Sequence, residues 1–550
     1  MERLYRRRVP PEKVVTTEIA RTCSELSFET RRQIGLLIDR RGHIVSVIIG
    51  NDHELVIPHL SRSRSGLRLL RGVRLVHTHL KNEPLSRDDL TDLALLRLDL
   101  MMAIGVGKEG NLQDVYMAHI LPQAINGKSY LEWKPCTFQA FQLDCLDFIQ
   151  DLENEFTKTT PGLRAHTNII QAILVSVSTG NVFRQQERLE ELLELARASN
   201  LHVLDSVVQR PHVLHPKYLL GPGRLKGLII EALQSGADML VFDQDLTPAQ
   251  TQGISELTEL RVLDRTQLIL DIFARRAHSR IGKIQVELAQ LRYLLPRLSQ
   301  SSTAFSRLGG GIGARGPGET KLETDRRRAR DRIGRLEREL EAVSRGRDQQ
   351  RRMRHRRAIP VISLIGYTNA GKSTLLNVLT NSHLSAKDRL FDSLDTVSRR
   401  LFLPGRGEVI LTDTVGFIRD LPEDLLTAFR TTLQELSDAD LLLHVVDAHA
   451  LDPDRQIQAV EAILAQLHLD TIPRVLILNK CDLIPQDRVA KLCERYQAIG
   501  ISATSVDSVG QVREVLAGTL HLLGRTGNTG CVWGHGDPAD AHPFHSEVRL

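Results

Sequence analysis

The sequence predicts an α/β chain of several domains. Three observations carry this. Apolar runs of strand length alternate with helical stretches from Leu163 onward, two long basic helical stretches follow, and a glycine-rich turn, Gly366-Tyr-Thr-Asn-Ala-Gly371-Lys372-Ser373, then separates an apolar strand from an apolar helix. The segments read as an extra N-terminal α+β unit at 1–160, a small parallel α/β unit at 163–275 and a basic helical hairpin at 276–357. A nucleotide-binding α/β domain at 358–523 and a disordered tail at 524–550 complete the expectation.

A length of 550 residues with 41% hydrophobic composition allows three or four domains with ordinary cores. No apolar run approaches the roughly 20 residues that span a bilayer. Met1-Glu-Arg-Leu-Tyr-Arg-Arg-Arg8 lacks a secretory apolar segment, so the expected location is cytoplasmic. A monomer is the expected state. The six cysteines show no Cys-x-x-Cys spacing, which favours free thiols over a disulfide framework or zinc knuckle. The net charge of +5 is concentrated: residues 301–360 hold 17 Lys and Arg against 8 Asp and Glu, which suits a polyanionic partner.

In the first unit, Ile34 to Ile49 alternates as two strands joined at Asp39-Arg-Arg-Gly42. Val76-His77-Thr-His79 ends a strand with both imidazoles on one face, and Ser86-Arg-Asp-Asp89 opens a helical pattern. His77, His79 and Asp89 can form a three-ligand metal site with an open fourth position. The arrangement resembles the metal site of JAB/MPN-type metalloproteases and their RadC-like relatives, one residue short between the second histidine and the serine, with Glu29 as a weak general base. A second reading stands beside it: Ser86 caps the helix with Asp89 at its third position.

From Leu163 to about Ala274 strands and helices alternate, which implies a small parallel sheet covered by helices. Leu220-Gly-Pro-Gly223-Arg-Leu-Lys226 fits a phosphate contact and a helix-opening turn equally well. Next, Ile281 to Pro296 and Glu319 to Val343 repeat apolar residues at helical spacing, as in Val286, Leu288, Leu291 and Leu295. Their connection, Arg307 to Gly318, is too rich in glycine for helix and carries Arg307 and Arg315. With Arg326, Arg327 and Arg328 it suits insertion against RNA phosphates, and a solvated charged helix with a flexible loop explains the same residues.

The turn from Gly366 through Tyr367, Thr368, Asn369, Ala370 and Gly371 to Lys372 and Ser373 has phosphate-loop spacing. Backbone N–H groups close around phosphates, Lys372 reaches the terminal ones and Ser373 offers a hydroxyl to magnesium. Strand-like Val409 to Thr412 leads into Asp413-Thr414-Val415-Gly416, where Asp413 can organise magnesium through water and the Gly416 N–H can sense a γ-phosphate. Val475 to Leu478 precedes Asn479-Lys480-Cys481-Asp482, in which Asp482 would accept from guanine and discriminate against adenine. Ser502-Ala503-Thr504 fits a last base-contacting loop. Four such strings at strand ends, in this order, point to a guanine-nucleotide switch binding GTP and GDP.

These motifs resemble the HflX family of translational GTPases. The resemblance also rests on Phe391-Asp392-Ser393-Leu394-Asp395, on Gln285 to Leu291, and above all on Gly310 to Arg328, and covers roughly residues 165–523. It implies a P-loop GTPase that binds ribosomal RNA of the large subunit, its hairpin reaching toward the peptidyl-transferase region, and that dissociates or rescues stalled ribosomes. Ser393 stands where relatives place the switch threonine on magnesium and keeps the hydroxyl. Asn369 matches the asparagine of potassium-assisted GTPases, which implies potassium stimulation. Phe417 stands where many regulatory GTPases orient water with glutamine, which implies slow hydrolysis awaiting a partner. Two competing classes are a GTP-regulated switch for another RNA or protein, and a metal-dependent N-terminal hydrolase governed by the GTPase.

Overall fold

The computed structural model describes residues 2–58, 70–125, 128–159, 170–277, 279–298, 323–324, 326–342, 359–380, 397–405, 407–413, 416–417, 434–450 and 452–525. Candidates Arg307, Arg315, Phe391, Asp392, Ser393, Leu394, Asp395, Thr414 and Val415, with the glycine-rich tip and the tail from residue 526, lie outside these residues; Gly524 and Arg525, expected in the tail, end a helix instead. The described residues fall into two compact units, one within Met1–Gln185 and Leu201–Leu263, the other within Gln186–Asn200 and Asp264–Leu550.

The first unit opens with α1 (Glu2–Tyr5) and α2 (Thr17–Thr30), followed by β1 (Ile34–Asp39), β2 (Ile44–Ile49) and β3 (Val73–His79). After α3 (Arg87–Leu96) come β4 (Met101–Val106), β5 (Leu112–Ile125), β6 (Lys128–Glu132), β7 (Cys136–Thr137) and α4 (Cys145–Thr159). The sheet runs β2-β1-β3-β4-β5-β6, with β7 also pairing β5. β1 and β2 form the expected antiparallel pair, while β3 and β4 are parallel around α3. β4 is buried at every position, as a central strand covered on both faces must be, whereas β2 at the edge mixes buried and exposed residues. Burial of Ile34, Leu36, Leu37, Leu75 and the run Met101–Ile104 anchors its core.

Also described are β8 (Gln171–Val177), α5 (Val182–Ala198), β9 (His202–Gln209), α6 (Pro222–Gln234), β10 (Met239–Phe242), α7 (Pro248–Leu257) and β11 (Arg261–Asp264). Their sheet has the order β11-β10-β8-β9, with β8 parallel to both neighbours. Parallel strands need covering on both faces, and the repeated strand–helix pattern supplies it.

In the second unit, α8 (Arg265–Arg276) leads to α9 (Arg280–Leu298), which packs against α10 (residues 326–342). Ile284, Leu288 and Leu336 form the buried seam, and Arg280–Glu339, Arg292–Glu337 and Arg332–Glu287 pair across it at 2.5, 2.6 and 2.7 Å. The pairs are partly exposed, so they set register more than stability, and the apolar seam supplies the association.

The remaining elements are β12 (Val361–Gly366), α11 (Lys372–Thr380), β13 (Val397–Leu403), β14 (Gly407–Asp413), β15 (Leu441–Asp447), α12 (Pro453–Gln466), β16 (Arg474–Asn479), α13 (Gln486–Tyr496), β17 (Ile499–Gly500) and α14 (Val506–Arg525). The sheet order is β13-β14-β12-β15-β16-β17, parallel except for the β13–β14 hairpin. β12 is flanked by β14 and β15, so the carboxyl ends of all three strands open on one edge, where ligands of open parallel sheets bind.

Candidate functional site

The phosphate loop is built by backbone that other residues resist. Gly366 and Gly371 adopt φ of 145° and 90°. A Cβ on Gly366 would strike the Val445 carbonyl, and one on Gly371 the Asn479 side-chain amide. Asn369 takes φ 62°, a conformation asparagine tolerates better than most residues. At the end of this turn α11 begins at Lys372, aiming its N-terminal N–H groups into the loop.

Lys372 is buried and donates from Nζ to the carbonyls of Tyr367 at 2.8 Å and Gly366 at 3.2 Å. Burial pulls its ammonium down to about 8, with Asp413 opposing. Ser373 Oγ donates to Asp413 Oδ2 at 2.7 Å, so a hydroxyl and a carboxylate from two elements meet at one point. Hard oxygen donors of this kind fit magnesium. The switch segment is stitched directly to the loop: Thr368 N donates to the Phe417 carbonyl at 2.7 Å and Phe417 N to that of Gly366 at 3.0 Å. A Cβ on Gly416 would press on Thr368 and Lys372, so this glycine lets the two segments touch. The Phe417 ring is buried and has no group able to orient water.

The base-side loops are joined through one amide. Asn479 donates to the Ala370 carbonyl at 2.8 Å and accepts from Ala503 N at 2.8 Å, tying the phosphate loop, β16 and the Ser502–Thr504 turn together. Lys480, at φ 63°, pairs with Asp447 at 2.7 Å. Asp482 stands exposed in the short turn Cys481–Leu483, and the Ser502 and Thr504 hydroxyls are 2.8 Å apart. The sequence reading missed Asp447 and the joining role of Asn479. A lone Asp closing the apolar run Leu441–Val446 was the available signal.

In the first unit, His77 and His79 bring their Nε2 atoms 2.9 Å apart, and Asp89 lies 3.6 and 3.5 Å from them. Among the described residues this is the group of ligand-type side chains that gathers closely enough to hold a metal ion. The capping reading of Asp89 is observed, since it accepts from Ser86 N at 2.8 Å and Ser86 Oγ at 2.7 Å in a capping box while also facing the two imidazoles. Burial lowers the affinity of His77 for a proton. For His79 burial is outweighed by Asp89 and by the Glu83 carbonyl, which raise it. Burial opposes ionisation of Asp89 too, but the two imidazoles hold its carboxyl well below the usual range. Two imidazole nitrogens and a carboxylate fit zinc. Glu29 is exposed near the end of α2.

A parallel sheet with a phosphate loop after β12, Asp413 closing β14 and a guanine-type loop at the end of β16 defines a P-loop GTPase. Residues 361–480 match the family model described as 50S ribosome-binding GTPase, residues 186–274 GTP-binding GTPase N-terminal, and residues 276–354 GTP-binding GTPase Middle Region. GTPase HflX of Caldanaerobacter subterraneus subsp. tengcongensis is 46% identical over 314 residues, 57% of this chain and 73% of that protein. GTPase HflX of Escherichia coli K12 is 45% identical over 317 residues, 57% of this chain and 74% of that one. The chain belongs to the HflX family of GTPases. Among solved structures, the SsGBP and GDP complex is 27% identical, covering 64% of this chain and 99% of that chain with a TM-score of 0.39. Among the described residues no helix is long and apolar enough to cross a membrane.

Proposed function

We propose that this GTPase binds the large ribosomal subunit through the basic α9–α10 hairpin, and that GTP state controls a docking that dissociates or rescues stalled ribosomes. The observation that carries the reading is the direct stitching of the switch residue Phe417 onto the phosphate loop, in the compact unit that also holds the hairpin. Arg327 and Arg328 are exposed on α10 and Arg326 partly so, the residue type that neutralises phosphates. The match to a 50S ribosome-binding GTPase model supports the same partner.

In the nucleotide site, Lys372 binds the terminal phosphates, the Gly416 N–H reads the γ-phosphate and Asp482 selects guanine. Ser373, with Asp413 behind it and Ser393 from the switch, would hold magnesium, which supplies charge neutralisation on the phosphates. Asn369 is the candidate potassium residue, and turnover is expected to be faster in potassium than in sodium buffers. Because Phe417 is buried, the large subunit is expected to supply acceleration. Co-sedimentation with large subunits tests the main reading. A non-hydrolysable GTP analogue should retain the protein and GDP release it, and equal association in both states overturns the proposal.

A second reading concerns the first unit, where convergence of His77, His79 and Asp89 supports a zinc-dependent hydrolytic centre. The three residues would hold the ion and leave one position open, and zinc would supply an activated water. Elemental analysis of the full chain should find about one zinc per chain, lost on His79→Ala, by the expected stoichiometry of one three-ligand site. Absence of zinc from the unsubstituted protein ends this reading.

A further inference from the structure

The second residue of the phosphate loop carries a phenol that no phosphate chemistry requires. Tyr367 Oη donates to Glu191 Oε1 at 3.0 Å across 176 residues of sequence. Glu191 lies in the part of α5 that groups with the nucleotide-binding unit, and its side chain is 11% exposed. The same oxygen accepts from Arg265 Nη2 at 2.7 Å. A carboxylate so shielded and so paired holds its partners firmly, because hydrogen bonds to charged groups are the strong ones. One turn earlier on α5, Glu187 accepts from Arg455 of α12 at 2.9 Å, a second grip of this helix on the nucleotide domain.

The other end of Tyr367 is the switch. Its carbonyl accepts from Lys372 Nζ, and its backbone forms a parallel bridge with Phe417. Any shift of Phe417 when nucleotide binds or is hydrolysed therefore reaches Tyr367 through backbone, and Glu191 through the phenol. Beyond Glu191, the neighbour of Arg265 is Asp264. Its carboxylate caps α8 and accepts from Tyr293 Oη and, at 2.7 Å, from Arg297 Nη2, both on hairpin helix α9.

We propose that Glu191 is a positioning residue for GTP turnover: it fixes the phosphate loop through the Tyr367 phenol and links that loop, by way of Arg265 and Asp264, to the hairpin. The link to the hairpin rests on the docking reading above, whereas the positioning of the loop does not.

Nucleotide release measured without ribosomes tests the positioning. Tyr367→Phe keeps the ring and removes only the hydroxyl, and should speed fluorescent GDP dissociation by about five- to tenfold. Glu191→Ala should do the same, while Glu191→Gln, still an acceptor for the phenol, should stay within about twofold of the native rate. The Tyr367→Phe, Glu191→Ala pair should be no faster than either single change, since both break one interaction. KM for GTP should rise with the release rate while kcat moves less, a split that a general loss of folding would not produce. A native rate in Tyr367→Phe, or multiplying effects in the pair, overturns the assignment. If Glu191→Ala does not fold, Tyr367→Phe and Glu191→Gln decide it alone. Tyr293→Phe on α9 should speed GDP release by about twofold if the link reaches the hairpin, and an unchanged rate there rejects only that extension.

Discussion

The nucleotide loops and the His77–His79–Asp89 cluster are held in opposite ways. The loops follow the ends of parallel strands, with backbone at positive φ at Gly366, Asn369, Gly371 and Lys480 and Asn479 bonding two loops to each other. The cluster stands on the end of one strand and the first turn of one helix, and among the described residues it gathers three side chains. A site made of many backbone contacts loses function in proportion to what is removed. A site made of three strong ligands loses its ion with any one of them.

Substitutions in the nucleotide site should therefore form a graded series, and this is where the comparison can be broken. Lys372→Ala removes the only charged side chain assigned to the terminal phosphates, and GDP and GTP affinity should fall by roughly a hundredfold or more by equilibrium binding. Retained affinity would overturn the loop assignment. Asn479→Ala leaves the Ala370 carbonyl and Ala503 N–H without their buried partner, each costing about 1 to 3 kcal/mol. Guanine-nucleotide affinity should drop about tenfold or more and thermal stability with it. If Asn479→Ala abolishes binding as completely as Lys372→Ala, the graded picture fails.

The same contrast explains what was legible in the sequence. Phosphate-loop spacing, the strand before it and the guanine-type tetrapeptide are local patterns, and local patterns survive in a one-dimensional reading. The pairing of Tyr367 with Glu191, of Lys480 with Asp447 and of Asn479 with two loops is non-local, and no periodicity announces it. α5 begins at Val182, where Asn181 Oδ1 accepts from Phe183 N at 2.9 Å and supports the first turn, a boundary that strand–helix alternation alone does not place. Asp89 was ambiguous for a physical reason, since one carboxylate both caps α3 and faces two imidazoles.

The smallest expected effect lies on the hairpin, and it sharpens the comparison by adding a surface whose energy is spread thinner still. Arg327 and Arg328 are exposed and Arg326 is partly so, on a helix already anchored to α9 by its buried seam, so neutralising them leaves the fold intact. Each arginine that contacts a phosphate releases counterions, and the slope of log affinity against log salt is roughly 0.7 to 0.9 per contact. Changing all three to Gln should reduce the slope for large-subunit binding by up to about 2 to 3 and weaken binding most at low salt. GDP affinity should change far less than large-subunit binding, because the nucleotide loops are held by Lys372, Ser373 and Asn479 through bonds to Gly366, Asp413 and Ala370. An unaltered salt slope would remove α10 from the contact surface while leaving the nucleotide site as described.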